Sequence, residues 1–139
     1  EADNWYQIGL NIIEKELPEQ VLDDGGNFEL SPMYHAIFLE DLLDLVNLHQ
    51  SYNKRLATDI QSTILSMFDW SKTMCHPDGD ISFFNDAAIG IAPPLRDLLG
   101  YGKRLNITYA NDGIRASTWL KDSGYIRVQK ENLVSIIDV

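Results

Sequence analysis

The sequence predicts a mainly α chain: antiparallel helical hairpins first, then the opening antiparallel strands of a β region. Three observations carry this. Apolar residues recur at helical spacing up to about residue 104, strand-like runs replace them after about residue 110, and turn and cap signals fall between the periodic stretches. A chain of 139 residues, 45% hydrophobic and 23% charged, has globular values and can bury a core of its own, so neither a metal nor a disulfide staple is required.

Residues 3–17 read as an amphipathic helix, with Trp5, Ile8, Ile12 and Leu17 near helical spacing and Tyr6 and Ile13 widening the stripe. Pro18 is expected to break it or to start a separate turn. Asp23 to Asn27 is turn chemistry, and it leads into Ser31-Pro32, a good N-cap followed by a residue suited to the first helical position. A helix is therefore expected from Pro32 to about residue 50. It carries Phe38, Leu39, Leu42, Leu43, Val46 and Leu48 around more than half its circumference, which calls for burial between other helices.

A third helix is expected over 53–74, with Leu56, Ile60, Ile64, Met67 and Phe68 on one stripe. His76-Pro77-Asp78-Gly79-Asp80 is a turn. A short helix over 93–104 starts at Pro93 or Pro94 and holds Leu95, Leu98 and Leu99. Tyr125–Val128 and Leu133–Ile137 read as strands joined by the polar Lys130-Glu131-Asn132. The division falls near residue 110, giving a helical segment 1–110 and a β segment 111–139. An apolar strand running to Val139 would leave an open edge, so further chain is expected beyond it.

A net charge of −10 opposes a general nucleic-acid or anionic-membrane surface, because both need clustered Lys and Arg. It also sits badly with a strongly sulfated ligand, toward which Lys54, Arg55, Arg96, Lys103 and Arg104 offer only partial compensation. Cys75 is the single cysteine, which excludes an internal disulfide and a cysteine-based metal cluster. The first residues, Glu1 to Trp5, show no basic and apolar leader pattern, so compartment is not legible from them.

The informative stretch is Gly25-Gly26-Asn27-Phe28-Glu29-Leu30-Ser31-Pro32-Met33-Tyr34-His35. It packs a turn, a carboxylate, a capped helix start, a phenol and an imidazole into one short run. In the first turn of a helix, unpaired backbone N–H groups create a positive potential, which favours phenolate over phenol and neutral imidazole over imidazolium. Both tendencies suit proton transfer. Spacing alone favours a plainer role: Tyr34 lies one turn before Phe38 and His35 one turn before Leu39, so both would extend the buried face.

The string GGNFELSPMYH, followed by LEDLLDLVNL, resembles the heparinase II/III-like polysaccharide lyase family, as do the later HPDGDISFFNDAAIGIAP and DSGYIRV, in the same order. The resemblance implies an incomplete α/α toroid followed by a β-sandwich domain, with the active site between them. It implies cleavage of acidic, uronate-containing polysaccharide by β-elimination, without a cofactor, in the periplasm or outside the cell. Proton transfer would fall on Tyr34, with His35 beside it in the catalytic pair and Glu29 as a binding or supporting group. The family's catalytic Asn, usually in an Asn-His segment, and its β-domain His are not visible in these 139 residues, so the chain alone is expected to be inactive. Asn27 departs from the family pattern, which often has His there.

Asn85-Asp86 could line the same cleft, and an N-cap for a short helix explains the pair equally well. The candidate set is thus Tyr34 and His35 for catalysis, and Glu29, Asn27, Asn85 and Asp86 for substrate. His76 to Asp80 holds too few ligands for a calcium loop, so no metal is expected. His49 near a helix end needs no function. Trp5, Trp70 and Trp119 are expected in the core rather than as sugar platforms. Two other functions compete: a non-catalytic carbohydrate-binding or polysaccharide-assembly protein on the same scaffold, and a helical interaction scaffold. The latter would be favoured if Tyr34 and His35 were fully buried among apolar side chains.

Overall fold

A computed structural model describes residues 1–54, 56, 60–110, 113, 115–131 and 133–139, so Arg55 lies outside the described residues. The chain is mainly helical. Helices α1 (Ala2–Gln20), α2 (Pro32–Ser51), α3 (Ile60–Met74) and α4 (Leu95–Arg104) precede strands β1 (Ser117–Leu120), β2 (Tyr125–Lys130) and β3 (Leu133–Asp138).

Helix α2 begins where the Ser-Pro signal puts it, with Ser31 as N-cap, Pro32 inside the first turn and the Ser31 hydroxyl accepting the Tyr34 N–H. It ends at the C-cap Tyr52, followed by Asn53 with a left-handed φ of 51°, a backbone that does not continue a right-handed helix. Helix α3 is described from Ile60; of the earlier residues expected in it, Asn53 and Lys54 are not helical, and 55 and 57–59 lie outside the described residues. Pro18 does not break α1. The helix runs on to Gln20, because the bond that Pro18 cannot make would go to Glu14, and both residues are exposed to water.

The core lies between α2, α3 and α4. Leu39, Leu43, Ile64, Met67 and Phe68 are fully buried, each stabilising by about 1.5–3 kcal/mol relative to exposure. His35 at the start of α2 meets Met67 and Trp70 late in α3, so these two helices run antiparallel. Helix α4 closes on them through Leu98 and through the Tyr101 hydroxyl, which donates to Asp44 and accepts from Asn47. Helix α1 joins the core at Leu17, while Trp5, Ile8 and Ile12 face solvent. Of the tryptophans, Trp70 is core, whereas Trp5 and Trp119 are exposed, against expectation.

The sheet is antiparallel with order β1-β2-β3. Thr118, Arg127 and Ile136 face one another across it, as do Leu120, Tyr125 and Asp138. Leu120, Tyr125 and Arg127 are buried, and the first two pack on Trp70 and Met74 of α3. Strand β1 adds to the two strands expected: its four residues are too few to display an alternating period. All named strands follow residue 110, but isolated bridges at Val21–Asn27 and Cys75–Ile81 close two loops earlier in the chain. Among the described residues, no helix is long and apolar enough to cross a membrane.

Candidate functional site

The segment between α1 and α2 is a tightly specified loop. Leu22 and Gly26 close a turn in which Gly25 has φ 87°, and a Cβ at Gly25 would overlap the Ser66 carbonyl of α3. A Cβ at Gly26 would stand 2.6 Å from Trp70 Nε1. The paired glycines therefore exist because this turn presses directly on α3.

His35 braces the rest of the loop from inside. It is fully buried and stacks on Trp70 with 4.3 Å between ring centroids. Its Nδ1 accepts the Asn27 backbone N–H at 3.2 Å, and its Nε2 lies 3.0 Å from the Met67 carbonyl, which can only accept. The ring is thus neutral with its proton on Nε2. Burial lowers its pKa to about 4, although the Met67 carbonyl and the charge of Asp24 pull the other way. The Asn27 side chain is also consumed: it accepts from the Glu29 N–H and donates to the Gln20 carbonyl. Asn27 is buried, so neither it nor His35 reaches the surface where substrate would lie. The Asn27 and His35 expected at the site thus both spend their polar atoms on holding the loop.

Tyr34 behaves differently. It sits in the first turn of α2 with 42% of its surface exposed, so the fully buried pair that would favour a helical scaffold is not present. Phe28 and Glu29 are exposed just before it. Asn85 is brought to the same segment: its Nδ2 donates to the Leu30 carbonyl at 3.3 Å and to the Tyr125 hydroxyl at 3.1 Å. Asp86 follows it on the surface, and both have left-handed backbones rather than starting a helix.

Sequence reading misses the groups that tie this loop to the sheet. Asp24 Oδ2 accepts from the N–H groups of Asp122 and Ser123 and from the Ser123 hydroxyl, all at 2.8–2.9 Å. Ser123 in turn accepts from Trp70 Nε1 at 2.9 Å. The Tyr125 hydroxyl donates to the Leu30 carbonyl at 3.0 Å. Arg127, wholly buried, donates to the carbonyls of Thr73 and Cys75 at the end of α3 and to Gln129. Burial lowers its pKa, and the negative end of the α3 dipole meets its charge. By its local pattern, Asp122-Ser123-Gly124-Tyr125-Ile126-Arg127 signals only the start of a strand.

Elsewhere, His76 to Asp80 forms the expected turn, closed by the His76 N–H on the Asp80 carbonyl. Among the described residues no His, Cys, Asp and Glu group is arranged to hold a metal ion. Burial pushes the Cys75 thiol up to about 11, away from nucleophilic use.

These features define a mainly helical domain whose second helix presents an exposed tyrosine at a braced, capped start, with an antiparallel sheet docked behind it. The chain matches the family described as "Heparinase II/III N-terminus" over residues 1–97, and it belongs to the heparinase II/III-like family. It is similar to a heparin-sulfate lyase of Bacteroides stercoris, 31% identical over 91 residues, and to a heparin-sulfate lyase of Pedobacter heparinus, 27% identical over 95 residues. Each alignment covers 64% of this chain and 14% of the relative, so the chain spans only a small part of those proteins. No solved structure matches.

Proposed function

We propose that this chain is part of a polysaccharide lyase that cleaves uronate-containing polysaccharide by β-elimination, with Tyr34 as its proton-transfer residue. The single observation that carries the reading is that Tyr34 is exposed in a capped first turn whose backbone is locked from behind. Relatives named heparin-sulfate lyase support an acidic polysaccharide as the substrate.

In such a reaction the C5 proton leaves, the C4–O4 bond breaks, a C4–C5 double bond forms and O4 takes up a proton. A phenol can serve on either side of that transfer. Glu29 and Asp86, both exposed near the start of α2, would accept hydrogen bonds from sugar hydroxyls. The catalytic Asn, the β-domain His and most of the positive charge that meets the uronate would come from other parts of the protein. On this reading, the helices form part of an α/α toroid, the strands open a β-sandwich domain, and the enzyme works in the periplasm or outside the cell.

The test is to incubate the intact protein with a panel of uronate polysaccharides and follow ultraviolet absorbance of the unsaturated product. Turnover of at least one, abolished by Tyr34→Phe, is the expected result. Binding without turnover on every polysaccharide would replace the lyase with a carbohydrate-binding protein, the reading that the net charge of −10 favours.

A further inference from the structure

We propose that Tyr125 and Asn85 are positioning residues for Tyr34: together they hold the Leu30 carbonyl, and with it the direction in which α2 sets out. The inference rests on the proposed role of Tyr34. Leu30 immediately precedes the Ser31 cap and has a φ of 56°, a left-handed backbone that a branched apolar side chain rarely adopts. Such a conformation persists only where its surroundings enforce it.

Three hydrogen bonds enforce it. The Leu30 N–H donates to the Asn27 carbonyl at 2.9 Å, and the Leu30 carbonyl accepts from both the Tyr125 hydroxyl and Asn85 Nδ2. Asn85 Nδ2 also donates to the Tyr125 hydroxyl, so the three groups close a triangle. The Tyr125 ring is buried, edge-on to Trp70 at 6.2 Å and tilted against Phe84 at 4.9 Å, which fixes where its hydroxyl lies. A strand residue thereby sets the backbone four residues before Tyr34. Misplacing a reacting group by about 1 Å can cost about 100-fold in rate.

In the intact protein, Tyr125→Phe keeps the ring and deletes the hydroxyl. The expected result is a kcat lowered by about 10-fold with KM changed by less than about 2-fold. Amide hydrogen exchange at Tyr34 and His35 should quicken by about 10-fold, while exchange in α3 stays unchanged. Asn85→Ala should act in the same direction. Because the effect runs through Tyr34, adding Tyr125→Phe to a Tyr34→Phe protein should lower turnover no further. An equal fall in that background would overturn the proposal, as would unchanged exchange at Tyr34 and His35 or faster exchange throughout α2 and α3. Should no polysaccharide be cleaved, the lyase reading fails by itself, and the exchange measurement still decides whether Tyr125 holds the helix start.

Discussion

The backbone N–H of Asn27 donates to Nδ1 of His35, eight residues later, and so makes a neutral imidazole the internal strut of the loop before α2. The strut works only while Nδ1 keeps its lone pair. Protonation would turn the acceptor into a donor facing another donor, in a fully buried site.

Stability should therefore depend on pH through this residue. The folded pKa of about 4 lies below the ordinary 6.5, so the unfolded chain binds the proton more readily between these values. The contribution is complete above about pH 6.5 and is lost as pH falls toward 4, approaching roughly 3 kcal/mol. Urea unfolding midpoints at pH 7, 5.5 and 4 check this. A His35→Gln protein should show a shallower slope over that window; an unchanged slope would remove His35 as its source.

Gly25→Ala should destabilise by about 2–3 kcal/mol, because it combines a left-handed backbone with overlap on the Ser66 carbonyl. Gly79→Ala supplies the comparison. It too has a left-handed φ, 94°, but its Cβ would meet open space, so it should cost only about 1 kcal/mol. Thermal or denaturant unfolding of the two proteins side by side would show whether the contact with α3 accounts for the difference.

Ser123→Ala should cost about 1–3 kcal/mol, since it leaves the buried Trp70 Nε1 without an acceptor and removes one donor from Asp24. The near-ultraviolet circular dichroism of Trp70 should change with it. A stability equal to wild type would mean that the Ser123 hydroxyl adds nothing to the contact between the loop and the sheet, which Asp24 on the Asp122 and Ser123 N–H groups and the Tyr125 hydroxyl would carry.

Tyr34→Phe removes one hydroxyl from an exposed residue, so unfolding should change by no more than about 0.5 kcal/mol. Turnover of the cleaved polysaccharide by the intact protein should fall by about 100-fold or more while substrate binding survives. Near-normal kcat in this variant would make Tyr34 a surface residue and move proton transfer elsewhere.

Local chemistry is the part of this molecule that its sequence makes legible. Ser31-Pro32 announces a helix start because cap and first-turn preferences act within three residues. The stripe of Ile60, Ile64, Met67 and Phe68 announces a buried face for the same reason. The roles of His35 and Asn27 are not legible, because a ring that braces a loop and a ring that moves protons occupy the same place in a motif. Which of the two it is depends on Met67 and Trp70, residues 32 and 35 positions away. Pro18 misleads because its cost depends on whether the orphaned carbonyl meets water, and exposure is a tertiary property. The partners of Asp24 and Arg127 lie on elements whose pairing no local period encodes.

Such long separations bear on the order in which the chain can become native. Asp24 waits for Ser123, 99 residues further on, and the carbonyl of Thr73 for Arg127, 54 residues further on. Helical turns form in about a microsecond from neighbours, whereas contacts so distant must await closure of a long loop. During synthesis, at roughly 5–20 residues per second, α2 and α3 thus spend several seconds with Asp24, Trp70 and the end of α3 unsatisfied. The tyrosine-bearing turn is therefore made well before the strand residues, Ser123 and Tyr125, that lock it in place.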